Sequence, residues 1–484
     1  MTRPSPTLRP AHFATDRSLP WALGTLALVA ALAGCSSAEE APVCGKEGTA
    51  CCAGANACDA GLGCSASVCI AAPFAAGAAC NQSTECASQI CGGDGLCAAP
   101  SCTDAVRNGD EADVDCSGSC PGKCGLGQGC ASKADCARGG CMDGICAFEP
   151  GGLLGPGGAS TTVAWTQIAG AAEGMKWPSD LAFSLDAPEQ LWVVDRVRDA
   201  MFVITHPGTD KAAKRRLDDI SQHFLEEVVA ISFDGNGTFG TCGDNRNSYG
   251  GMAEANDFMG PVQWPSDLAA YPEKQSAHEQ HWDMLHSTPN CAGIAAVGPN
   301  QFLCFNGLLG CIDWYDFHKP HVPGGDDHSD GEKRRFVDPT IKLKRVAGVP
   351  SNLVYDWLHK LLYIADTGNG RIIRFSAEGA TKGKFVASFP LDGKMNMMEN
   401  FSMDVMVDDG LVMPTGLALH EGTLYVADRG SGKLHAYDLS GKRLRSLDTG
   451  LGADRLGGLE AGPDDRLYFV DADGKRVMRV EPSL

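Results

Sequence analysis

Six of the chain's twelve histidines fall in two stretches, "HEQHWDMLHSTPN", with His278, His281 and His286, and "YDFHKPHVPGGDDHSDGEKRRF", with His318, His321 and His328. Imidazole and carboxylate side chains together hold divalent metals or move protons near neutral pH. In the second stretch Asp326, His328 and Asp330 alternate ahead of Gly331, a partial match to the D-x-[DN]-x-[DN]-G calcium loop. A histidine fills the third ligand position, and Val337 stands at the twelfth, where a bidentate Glu is expected. Imidazole shifts the preference from calcium towards zinc or copper. The residue types thus suggest a site for calcium or zinc, built by two loops from His286, Asp326, His328 and Asp330. The alternative is a polar loop held by its own hydrogen bonds.

Two further groups invite chemistry. Met395, Met397, Met398, Met403, Met406 and Met413 cluster in "GKMNMMENFSMDVMVDDGLVM"; thioethers suit Cu(I), but methionines also fill gaps between packed strands, and packing is the better reading. Asp110, Glu111, Asp113 and Asp115 could offer oxygen ligands to calcium, or form a solvated loop. There is no G-x-S-x-G elbow, no P-loop and no H-E-x-x-H helix, so no catalytic residue is assigned.

The 23 cysteines and the repeats set out the elements that must position these groups. Eighteen cysteines lie between Cys44 and Cys146, and "GAACNQSTECASQICGGDGLC" returns as "GQGCASKADCARGGCMDGIC". Thiolate metal clusters use tighter spacing with a matching second half, so a disulfide framework over 44–148 is expected. Residues 149–161, rich in Gly and Pro, read as a linker. Ahead of the framework, Arg3, Arg9 and Arg17 precede an apolar run too short to span a bilayer, ending in Leu-Ala-Gly-Cys at Cys35. That ending resembles the lipobox of bacterial lipoproteins, which implies a signal over 1–34, an acylated Cys35, a tether over 35–43 and delivery to the outer membrane or cell surface. The cysteine units resemble the small disulfide repeats of bacterial surface proteins.

From residue 162 to 484 the pattern changes to strand, turn, strand ending in Asp, turn, strand. It recurs around Asp195, Asp366, Asp428 and Asp471, with weaker copies at Asp244 and at Asn306, which replaces the Asp. Repeats at such intervals read as propeller blades. The motif resembles the NHL repeat, which implies an all-β, six-bladed propeller, and "TTVAWTQIAG" is expected to complete the last blade as its outer strand. The recurring Asp is expected to hold turns. Cys304 and Cys311 flank "FNGLLG" and are expected to be bonded, leaving Cys242 and Cys291 to each other.

A net charge of −20 argues against nucleic acid as a partner. The expected function is recognition: a lipid-anchored scaffold binding an unidentified protein, peptide or glycan on the propeller's loop-rich face. The alternative, from resemblance to amidoglycolate lyases and gluconolactonase-like propellers, is a metal-dependent lyase or hydrolase. The lyase pattern needs channel histidines, whereas the clear blades open with Asp180, Asn352 and Thr415. The gluconolactonase-like pattern implies a central calcium with acidic and amide ligands.

Overall fold

Each repeat folds as an antiparallel sheet of four strands. In the first, Pro178–Phe183, Gln190–Asp195, Ala200–Thr205 and Ala213–Leu217 pair in chain order. The first three strands are buried almost throughout; the second and third read as nearly continuous apolar runs, while the first buries Ser179 and Asp180 as well. The fourth is the outer strand, and its "AKRRL" is mostly exposed. The computed structural model describes residues 44–481, apart from 53–57, 60–61, 66–67, 72, 155–163, 218–223, 247–257, 272–280, 322–324, 326 and 387–390. Cys35 and the segment 1–34 expected to be a signal lie outside the described residues.

Six such sheets make a six-bladed β-propeller, all-β and without an α-helix among the described residues. The last blade is Leu456–Ala461, Leu467–Asp471 and Arg476–Glu481, closed by Ala164–Ala169 from ahead of the first blade. Val480 pairs with Trp165 and Glu481 with Ala164, so the ring is fastened by strands from both ends of the domain and two edges are removed. Large aromatics fill the space between blades. Trp192 of the first packs against Phe239 of the second at 5.0 Å between ring centroids.

Side chains at the starts of the inner strands tie adjacent blades together. Ser179 Oγ donates to the Val228 carbonyl at 2.9 Å, and Thr415 Oγ1 to the Gly457 carbonyl at 3.0 Å. Such close approach leaves no room for a β-carbon at Gly416, where one would lie 2.5 Å from the Leu459 nitrogen.

The third blade departs from the pattern. Its strands Cys291–Gly298, Gln301–Asn306, Cys311–Asp316 and Glu332–Phe336 are extended by Lys394–Glu399, parallel to Glu332–Phe336, and then by Thr381–Val386. The methionine-rich segment supplies part of this extension. Met395 and Met398 are buried, and Met398 packs in one cluster with Phe336 and Phe375, which accounts for them as packing residues.

Two compact units divide the chain between Gly122 and Lys123. The two similar cysteine repeats carry the same pairing of first to third and second to fourth cysteine. In the earlier unit the bonds are Cys80–Cys91 and Cys86–Cys97; in the later one they are Cys130–Cys141 and Cys136–Cys146. The acidic residue before each second cysteine caps a turn: Glu85 accepts from the Asn81 nitrogen and Asp135 from the Ser132 nitrogen. Asp110 accepts from Ser119, and Asp115 from the Asp104 and Ala105 nitrogens, so these carboxylates serve the loop itself. Of the segment read as a linker, the turn Gly152–Leu154 is docked: Leu153 and Leu154 are buried against the propeller, and the Leu153 nitrogen donates to the Tyr425 hydroxyl.

One expected disulfide is not formed. Cys304 and Cys311 lie on paired strands and are both free and buried. The register sets Cys304 opposite Asp313, and Cys311 opposite Asn306, so the two are diagonal neighbours. Diagonal positions are typically about 7–8 Å apart, beyond disulfide reach. Cys242 and Cys291, on the inner regions of the second and third blades, are joined.

Candidate functional site

The recurring Asp is consumed by the fold. Asp195 accepts from the backbone nitrogens of Lys176, Trp177, Val197 and Arg198. Asp428 accepts from the Val412 and Met413 nitrogens, and Asp471 from Gly474 together with Arg455 and Arg476. In the third blade Asn306 does related work, its side-chain oxygen accepting from Leu309.

The departures from the repeat gather between the second and third blades. The second blade ends in the two-residue strand Asp283–Met284; the chain then passes His286 on its way to the third blade, near His321, His328 and residues 391–393. His328 Nδ1 lies 2.7 Å from Asp283 Oδ1 and 2.9 Å from His321 Nε2. His321 Nε2 is 3.4 Å from the same Asp283 oxygen. Asp283 and His328 are buried, and the His328 nitrogen is anchored on the Leu391 carbonyl at 2.8 Å.

His286 stands beside this group, its ring centroid 5.6 Å from that of His328 and 4.3 Å from Phe258. Its Nδ1 is 3.4 Å from Asp392 Oδ1. Lys333, wholly buried on the outer strand of the third blade, also bonds Asp392 and donates to the His286 carbonyl. Burial lowers the pKa of His286, against the pull of Asp392, and favours the neutral ring. Burial alone would raise Asp392, but its partners His286 and Lys333 outweigh that and hold the carboxyl below its ordinary range. The arrangement therefore sets an imidazole, a carboxyl group and a buried lysine amine next to a converging His-His-Asp set.

Of the four residues suggested by the sequence as ligands, the structure brings His286 and His328 together. Asp330 is exposed, and Asp326 and His278 lie outside the described residues. His318 is turned to Asp316. His321 belongs to the histidine cluster read from the sequence but not to its ligand set, and Asp283, Lys333 and Asp392 belong to neither. Only tertiary structure pairs them, although Asp283 and His321 sit within the two histidine-rich stretches.

A second polar group lines the mouth of the central channel. Asp180 and Glu460 lie on the inner strands of the first and sixth blades, Asn352 immediately precedes that of the fourth, Leu353–Asp356, and the three share a cleft of about 140 Å³. Asn352 Nδ2 donates to Asp180 Oδ1 at 2.7 Å, and the Ile231 nitrogen to Asp180 Oδ2 at 3.1 Å. The Asn352 side-chain oxygen is buried with no hydrogen-bond partner among the described residues. Burial raises Asp180 to about 7; burial, and then the charge of Asp180, raise Glu460 to about 8. Two carboxyls that cannot both ionise easily at neutral pH can hold a proton, or a cation in its place.

No protein-family model matches the chain, and no curated protein matches it. Solved propellers do. One is described as an auxiliary nutrient binding protein from Bacteroides thetaiotaomicron, at 10% identity over 70% of this chain and 78% of that one, with a TM-score of 0.45. A putative gluconolactonase matches at 12% identity over 66% of this chain and 93% of that one, with a TM-score of 0.37. A virginiamycin B lyase from Staphylococcus aureus matches at 11% identity over 66% and 100%, with a TM-score of 0.40. At such identities and scores none of these bears on function.

Proposed function

We propose that this protein is an exported, lipid-anchored recognition protein whose propeller binds its ligand at the loop-built site between the second and third blades. The observation that carries the reading is the concentration there of polar groups, most of them buried, that the repeat pattern does not supply. Asp283, His286, His321, His328, Lys333 and Asp392 are all brought in by insertions or by the strands beside them. Elsewhere the recurring carboxylates are used up by turns. The disulfides support an oxidising compartment, and the Leu-Ala-Gly-Cys ending at Cys35 supports an anchor. The partner would be a protein, peptide or glycan outside the cytosol.

The channel mouth favours a second reading, a gluconolactonase-like hydrolase. Asp180, Asn352 and Glu460 match the acidic and amide composition of that family's calcium site, and the orphaned Asn352 oxygen would be satisfied by a cation. Such an ion, held by Asp180, Asn352 and Glu460, would polarise a substrate carbonyl. A panel of glycans, short peptides and lactones, followed by thermal shift and by turnover, separates the two. Recognition predicts shifts that vanish in a His286→Ala variant and persist in Glu460→Gln. Lactone turnover lost in Glu460→Gln would favour the hydrolase instead.

A further inference from the structure

We infer that Asp283, His321 and His328 form a binding site for a divalent transition metal of the zinc class. The inference deepens the recognition reading and rests on it only in taking the loop-built site as the place of binding. Its ground is geometry. Three potential ligand atoms, Asp283 Oδ1, His321 Nε2 and His328 Nδ1, lie 2.7, 2.9 and 3.4 Å from one another. Ligand atoms each about 2.0–2.1 Å from one ion, at angles between octahedral and tetrahedral, lie about 2.9–3.4 Å apart. The observed triangle is close to that one.

Protons alone serve this triangle poorly. A neutral imidazole has one donor and one acceptor nitrogen, so a given ring nitrogen does one or the other. If His328 Nδ1 donates to Asp283, it has no lone pair for a proton on His321 Nε2. If it accepts from His321, its short contact with the Asp283 carboxylate brings lone pair against lone pair. Only one proton shared three ways, or a positive ion at the centre, satisfies all three atoms at once. A cation does so with both rings neutral.

The donor set selects the ion. Two imidazoles and one carboxylate suit zinc and its neighbours better than calcium, which prefers six to eight oxygens. Three protein ligands also leave a coordination position open, as in sites where a metal takes a further ligand. The ligands are held from outside: the Asp283 carboxylate also accepts from the Met284 nitrogen at 2.7 Å, and the His281 ring lies edge-on to His321 and is stacked on Phe224. Support of this kind fixes ligand orientation around metals. The site stands apart from the channel mouth, being built on an outer strand and a loop rather than on inner strands.

The test uses the full chain with its disulfides intact, stripped with EDTA and titrated with Zn²⁺ or Co²⁺ alone. Stoichiometric Zn²⁺ by elemental analysis, and a visible Co²⁺ spectrum of an N/O site, are expected. Both should be lost in His321→Ala and His328→Ala and retained in His286→Ala and Glu460→Gln. His321 is only partly buried, so its variant keeps the test open should His328→Ala fail to fold, as circular dichroism would reveal. Absence of stoichiometric metal, or metal that survives His321→Ala, would overturn the site. Loss of panel binding in His286→Ala with Zn²⁺ retained separates the two claims: the recognition reading then stands or falls on the panel, and the metal site on the titration.

Discussion

At the scale of single residues, the repeated Asp and the channel carboxyls are the same side chain put to different uses by their surroundings. Asp195 accepts four partly buried backbone N–H groups, and an alanine there would remove their shared acceptor. Each orphaned donor costs about 1–3 kcal/mol, so Asp195→Ala should lose several kcal/mol in denaturant unfolding, and Asp195→Asn distinctly less. Burial raises Asp195 in pKa despite these bonds, and in the channel it raises Asp180 to about 7 and Glu460 to about 8. Between the ordinary carboxylate range, near pH 4, and these values the folded state holds protons that the unfolded chain has released. The stability this gives is fully present below about pH 4 and is lost as pH rises through 7 to 8. The thermal midpoint should therefore fall from pH 5 to pH 8.5, and the fall should be shallower in an Asp180→Asn, Glu460→Gln double variant. An unchanged slope would show that these carboxyls ionise normally.

At the scale of elements, the blades were legible and their register was not. The alternation of buried runs with turn residues identified six blades and the closing strand Ala164–Ala169, because each blade repeats one burial pattern. The error over Cys304 and Cys311 shows the limit: sequence places two cysteines on adjacent strands, but only the pairing of Asn306 with Cys311 shows them to be two positions out of line. Burial pushes both thiols up in pKa, which disfavours the reactive thiolate. Neither should react with a thiol reagent in the native protein, and both should react on unfolding in denaturant without reductant. Mass mapping that found them bonded would contradict the register. The candidate site was legible only as far as its histidine-rich stretches. Lys333 sits in an ordinary-looking strand, "EKRRF", and Asp392 follows in sequence much later. What joins them is the widening of the third blade by Lys394–Glu399, which brings Asp392 to Lys333, and no local pattern announces that a strand from one repeat will pair with the sheet of another. Lys333→Met should be strongly destabilising, by about 3–5 kcal/mol, since it strands the Asp392 charge in the interior. Restoring neutrality with Lys333→Met and Asp392→Leu together should recover much of that loss in the same unfolding measurement.

At the scale of the whole molecule, the two regions solve the problem of stability by different means. The propeller buries aromatics between sheets and closes its ring, whereas the cysteine units have short strands and turns and depend on covalent links. Reduction should therefore separate them. With dithiothreitol under native conditions the cysteine repeats should lose order first, seen as protease cleavage within 80–122, while the propeller blades persist. The Cys242–Cys291 bond is the one covalent link within the described blades, and it lies buried where a reductant reaches it slowly. The proposed anchor would complete the division of labour, because a module proposed to recognise something outside the cytosol would need to be held there. Each acyl methylene buried in a bilayer contributes about 0.8 kcal/mol, and two or more chains hold a protein without a spanning helix. Cys35→Ala should therefore move the protein from the membrane fraction to the soluble fraction, or leave its signal uncut, without changing the propeller's thermal transition. If the variant still extracts with membranes and the wild type incorporates no labelled fatty acid, the anchor is not at Cys35, and the recognition site would have to reach its partner from a freely diffusing protein.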